Sequence, residues 1–334
     1  MDILTQEQII SIIHKEFKKA KAKKRKCLVD GCKNFAINSH VLWKKGILSK
    51  IANKSHLIEI DSTNFIFGKG FKFSQTSIDK ILRFKGFCNI HDDKIFKIIE
   101  NDKMDLFDQK NQILFSIRGL FHEMQKKEIN VEAIEGVLNL NILPYEEQIA
   151  TLMMLVYNNK LGINDISFYT SELNKEFYNV TGKFHFKTFQ LPFVPIVSSS
   201  MFSIDGIYTQ NTNRVIDKNC ENVPLNTFLF NFFPFKGKSY LIIGFHTNYL
   251  NNLAIFNKLS TLNENELLQI ISDILIGKVE SWACSMDFYE KFIKEDEQII
   301  LKLFQENGKD FTGNKMFEFN MFSRWLMSKA NEKI

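Results

Sequence analysis

Cysteine is scarce, at five in 334 residues. That is too few for the disulfide framework of a small secreted domain, and three of the five fall within one short stretch. Proline (5) and glycine (15) are also sparse, which argues against a linker-rich or disordered chain. Charge of one sign is not in large excess: the formal net charge is +5, so bulk charge does not by itself imply a nucleic-acid partner. No apolar run reaches the roughly 20 residues of a membrane helix, so no membrane partner is expected. Met1-Asp2-Ile3-Leu4 lacks the basic start and apolar core of a secretory leader. A reducing cytoplasm is the expected location. Phenylalanine, in contrast, is abundant at 33, and predicts aromatic-rich packing.

The cysteines that are present are arranged for a metal. Cys27 and Cys32 bracket Leu-Val-Asp-Gly, and Cys88 and His91 bracket Asn-Ile. Two short ligand pairs separated by a long insert are the pattern of a tetrahedral zinc site. Gly31 lets the first pair turn sharply, and an apolar-patterned helix follows the second from Asp92. The expected module is a treble clef with zinc on Cys27, Cys32, Cys88 and His91. Four protein ligands leave no open position for water, so this zinc is structural.

The remaining chain reads as α+β. Thr5 to Lys26 is a helix with Thr5 as N-cap and Gln8 as capping-box partner. A helix with a break near Gly46 is expected over Val41–Ile51, and a strand over His56–Ile60. Asp105–Lys127, Val131–Leu143 and Tyr145–Asn179 read as helices, the last interrupted at Gly162. Lys183–Asn257 reads as an antiparallel sheet. Within it, Asn226–Phe233 is apolar in both rows and hence buried on two faces, and Lys236-Gly237-Lys238 is a hairpin turn. Asn263 and Glu266 form a second capping box for a helix through Ile276. Helices over Asp287–Glu306 and Lys315–Lys329 complete the C-terminal part. The expected organisation is a basic helix plus zinc module over 1–104, a helical segment over 105–180, and a sheet with C-terminal helices over 181–334.

Charge concentrates just ahead of the first ligand. Lys18, Lys19, Lys21, Lys23, Lys24, Arg25 and Lys26 lie at the end of the first helix. Two readings stand side by side: cations that suit the helix dipole, and an arm that contacts nucleic-acid phosphates. Arg118 and Glu123, on the Asp105–Lys127 helix, have two readings: surface charges, which is the favoured one, or side chains that reach toward the zinc module. His185 and His246 read as hydrogen-bonded core residues.

Cys27-x4-Cys32, Ser39-His40 and Phe87-Cys88-x2-His91-Asp92 together resemble the zinc-containing HNH endonuclease module. That resemblance covers about 75 residues of the chain. It implies that His40 is a general base, that Asp92 helps hold a catalytic Mg²⁺ or Mn²⁺, and that the partner is a nucleic acid. Ser39 stands where the family has Asp or His. For the family's middle Asn, Asn53 and Asn64 are both available. Ala36-Ile37-Asn38-Ser39-His40 and Gly86 through Phe96 also resemble a motif of uncharacterised bacterial proteins linked to antiviral defence gene sets. The resemblance thus implies an HNH-like nucleic-acid-binding protein with metal-dependent endonuclease activity. The alternative is a non-catalytic, zinc-stabilised sensor or effector of phage defence that binds a protein or ligand through its C-terminal part.

Overall fold

The computed structural model describes residues 5–61, 70–203, 223–307 and 319–331, and shows a mixed α+β architecture. Helix α1 (Gln6–Ala22) starts at Thr5, whose side chain and that of Gln8 complete the expected capping box. The first ligand pair follows, then strand β1 (Ser39–His40). The segment expected to be helical from Val41 is a π-turn over Lys44–Leu48 running into the short α2 (Ser49–Ile51). Strands β2 (His56–Asp61) and β3 (Lys72–Ser77) form a hairpin, and β4 (Arg83–Phe84) returns to pair antiparallel with β1. Helix α3 (Asn89–Phe96) begins directly after Cys88, its N-cap.

Two long helices come next. Helix α4 (Gln109–Leu138) spans 30 residues and α5 (Glu146–Asn179) spans 34. The two shorter helices expected between Asp105 and Leu143 are therefore one, and α5 runs unbroken through Gly162. The continuity has a packing cause: the Lys126–Glu132 stretch that reads as a polar break is where α1 and Arg25 dock. Residues 111–120 of α4 are buried on every side, as expected of a central helix.

The sheet is larger than the sequence suggests. Strands β5 (Phe184–Pro192), β6 (Ile196–Ser203), β7 (Thr227–Phe235) and β8 (Lys238–His246) are followed by α6 (Asn252–Thr261), α7 (Glu264–Gly277) and β9 (Trp282–Cys284). The order is β3-β2-β9-β6-β7-β8-β5, antiparallel throughout. The insert between the two ligand pairs thus supplies two of the seven strands. The extended segment expected over Leu191–Val197 is split: Pro192 ends β5 at the sheet edge, where a missing N–H is tolerated, and β6 starts at Ile196. Within the expected Lys183–Asn257 sheet segment the strands stop at His246, and α6 begins at Asn252.

All nine residues of β7 are buried, as its doubly apolar pattern predicts. Leu229 and Phe233 face α4, α5 and the metal-ligand module, whereas Phe228, Phe230 and Phe232 face α6, α7 and the C-terminal helices. The capping box at Asn263 and Glu266 is present. The long helix expected from Asp287 is instead a series: α8 (Met286–Phe288), a π-turn, a 3-10 turn and α9 (Glu297–Asn307). Helix α10 (Ser323–Asn331) is the last element. Among the described residues no helix is long and apolar enough to cross a membrane.

Candidate metal centre and adjoining site

The module is built by local turns. Residues Val29 to Cys32 form a tight turn closed by the Cys32 amide donating to the Val29 carbonyl at 3.0 Å, with Gly31 at φ +76°. A side chain is disfavoured at that angle, so glycine fits the turn between the two thiols. The Cys27 amide donates to Asn34 (3.0 Å), and Lys26 and Phe35 bridge behind the turn. The chain segment before Cys88 is tied to this turn through Leu28 N–H to Gly86 (2.8 Å) and Ile37 N–H to Phe87 (2.7 Å). Phe87 packs edge-on against Phe84, Phe96 and Phe121, which sets the second pair against α4.

These turns bring four donors together: the ligand atoms of Cys27, Cys32, Cys88 and His91 all lie within 4.8 Å of one another. Cys32 and Cys88 sulfurs are 3.9 Å apart, and His91 Nδ1 lies 3.3 Å from Cys27 Sγ and 3.4 Å from Cys88 Sγ. A tetrahedral zinc with bonds of about 2.3 Å to sulfur and about 2.0–2.1 Å to nitrogen separates its ligands by roughly 3.6–3.8 Å. A disulfide would need about 2.05 Å, and the cysteines are free. The donor set therefore fits zinc, with Nδ1 as the histidine ligand. Asn34 Nδ2 donates to Cys88 Sγ at 3.9 Å, an outer contact of a kind that supports a metal-bound thiolate. The His91 backbone N–H, at the start of α3, draws the Cys88 thiol below its ordinary pKa.

His40 lies on β1 directly opposite Arg83 on β4. Its Nε2 is 2.8 Å from the Ile78 carbonyl oxygen, so Nε2 carries the proton and donates. Nδ1, with no partner among the described residues, keeps its lone pair. Burial lowers the imidazole pKa below the ordinary histidine value. The charges of Lys44 and Arg118 push the same way, while the Ile78 hydrogen bond and Asp79 oppose them. His40 is thus held in its neutral, proton-accepting form. The Ser39 hydroxyl beside it is buried without a hydrogen-bond partner among the described residues.

Asp92, in the first turn of α3, directs Oδ1 to Arg118 at 3.5 Å. Arg118 corrects the favoured sequence reading and follows the alternative: it is not a surface charge but 1% exposed, and it reaches toward the zinc module. Its guanidinium stacks on Phe96 at 4.1 Å and donates to Glu100 at 2.5 Å. Glu123 is corrected likewise; it is buried, accepting from Ser200 (2.9 Å) and paired with Lys126 (2.9 Å). A signal for Arg118 was present: it lies four residues after Leu114 and three before Phe121, inside the apolar stripe of α4. Asn53 bridges to His56 and donates to Asp287, and Asn64 lies outside the described residues. His246 is buried and accepts from the Asn248 amide, as a core histidine would.

The cations at the end of α1 and just after it fall into three groups. Lys23 pairs with Glu132 (2.8 Å), Arg25 with Glu128 (2.8 Å) and Glu132 (3.3 Å), and Lys19 with Glu16 (3.3 Å). Lys24 lies over the Phe35 ring at 5.6 Å. Lys18, Lys21 and Lys26 are exposed and form no ion pair among the described residues.

No family model, curated protein or solved structure matches the chain.

Proposed function

We propose that the chain is a zinc-containing, HNH-like nucleic-acid-binding protein with metal-dependent endonuclease activity. The observation that carries this reading is the state of His40. One ring nitrogen is anchored on a backbone carbonyl, the other has no partner among the described residues, and burial keeps the ring neutral on β1, which lies in the chain between the two ligand pairs of the Cys3His cluster. That is what a general base for water activation requires. Zinc on Cys27, Cys32, Cys88 and His91 holds the module together. Asp92 would hold a divalent cation, Mg²⁺ or Mn²⁺, through the oxygen that Arg118 leaves free; such an ion supplies charge stabilisation at a phosphoryl group. His40 Nδ1 takes a proton from the attacking water. Lys18, Lys21 and Lys26 supply phosphate contacts, while Arg25 and Lys23 fix the arm to α4.

A second reading is a non-catalytic sensor or effector of phage defence, in which the zinc module is scaffolding and the C-terminal part binds a protein or ligand. It is favoured by one observation: the insert between the ligand pairs contributes β2 and β3 to the large sheet. The two readings separate in a nicking assay. Zinc-loaded protein is incubated with supercoiled plasmid and Mg²⁺ or Mn²⁺, beside His40→Ala. The nuclease reading expects cation-dependent nicking that the variant lacks. Nicking that survives in His40→Ala, or none by either protein with DNA or RNA, would remove it and leave the scaffold reading.

A further inference from the structure

Arg118 belongs to α4, outside the module that carries the metal ligands, yet its charged head ends inside that module. Three contacts hold it: Glu100 at 2.5 Å, the Phe96 ring at 4.1 Å and Asp92 at 3.5 Å. The side chain is 1% exposed and its Nε has no hydrogen-bond partner among the described residues. A buried guanidinium costs several kcal/mol in lost hydration unless its partners are fixed, so its position is closely specified. Glu100, 31% exposed, takes the short bond, and Asp92 takes a long one.

We propose that Arg118 and Glu100 are positioning residues for the site: Glu100 holds the guanidinium on its own carboxylate, so that Arg118 aims Asp92 without occupying it. This rests on the reading of Asp92 as a cation holder. Asp92, Arg118 and Glu100 together carry one net negative charge, which suits a divalent cation. If Glu100 were neutral, Arg118 would turn its full charge to Asp92, and the same carboxylate would be both paired and net neutral. Outer contacts of this kind are typically worth 10–100-fold in metal affinity. Arg118 also places its positive charge within the field of His40, so one buried residue acts on both halves of the site.

The test uses the full chain with its zinc bound. Mn²⁺ is titrated in and free Mn²⁺ is read by electron paramagnetic resonance, for the native protein and for Asp92→Asn, Glu100→Gln and Glu100→Asp. Glu100→Gln weakens Mn²⁺ binding at least about tenfold with zinc content unchanged, and Glu100→Asp restores most of it. The loss of one solvent-screened charge alone would cost only about two- to threefold and would fade in high salt; the positioning effect persists there. In Arg118→Met, the His40 pKa, followed by proton NMR, rises. If that variant fails to fold, Glu100→Gln decides alone. Native Mn²⁺ affinity in Glu100→Gln, alongside loss in Asp92→Asn, overturns the inference but keeps the reading of Asp92. No Mn²⁺ binding by the native protein overturns both.

Discussion

Replacing Cys88 with serine removes one thiolate from the cluster while keeping a residue type suited to the N-cap position that Cys88 holds on α3. The residue is 3% exposed and belongs to the same core as Phe84, Phe87 and Phe96. A structural zinc contributes about 10–16 kcal/mol of apparent binding free energy in small zinc modules, whereas a whole domain is stable by only about 5–15 kcal/mol. Losing even a quarter of the zinc term is about 3 kcal/mol, which corresponds to roughly hundredfold faster opening of the affected segment. The loss is local first: the turn at Cys27–Cys32, the β1–β4 pair and α3 rest on the metal. Strands β6, β7 and β8 rest on their own two-faced packing. Hydrogen exchange by mass spectrometry, with zinc quantified in the same samples, is the assay. Cys88→Ser loses stoichiometric zinc and exchanges about a hundredfold faster over residues 27–40 and 83–99, while β7 keeps its protection. Full zinc content with unchanged exchange in that variant would refute the reasoning.

Four further outcomes follow from the geometry and the proposed function. Gly119→Ala should gain about 1 kcal/mol of helix propensity, but an added Cβ would sit 2.5 Å from Ser199 Oγ and 3.2 Å from its backbone; the clash wins, and urea denaturation should show a net loss of about 1–3 kcal/mol. Burial holds His122 neutral down to about pH 3, so the unfolded chain takes up its proton first, near pH 6.5. Stability is therefore full above pH 6.5 and falls by up to about 1.4 kcal/mol per unit below it, and His122→Leu should flatten that slope in urea titrations at pH 5 to 7. In nucleic-acid binding titrations, Lys18→Ala, Lys21→Ala and Lys26→Ala should each lower the salt slope by about 0.9 on duplex DNA. Arg25→Ala should instead lower the melting temperature, since its charge is spent on Glu128 and Glu132.

What the sequence made legible was local. The ligand pairs, the two capping boxes and the Lys236-Gly237 turn depend on residues a few positions apart, and each is where its spacing puts it. The two-faced burial of β7 was legible because both of its rows are apolar. Non-local pairing was not. Strand β9 is three residues long and has no pattern of its own, yet it joins β2 of the insert to β6. Gly162 reads as a helix break in isolation; in α5 it lies against the Lys127 side chain of α4, where an added Cβ would be 2.8 Å away. Arg118 reads as surface charge because its partners, Asp92 and Glu100, are 26 and 18 residues away.

The most direct test of the account is the zinc X-ray absorption spectrum of the purified chain. It predicts one zinc per chain with three sulfurs at about 2.3 Å and one nitrogen at about 2.0–2.1 Å. A shell of oxygen and nitrogen only, or a chain without stoichiometric zinc whose Cys27, Cys32 and Cys88 all react as free thiols, would contradict it.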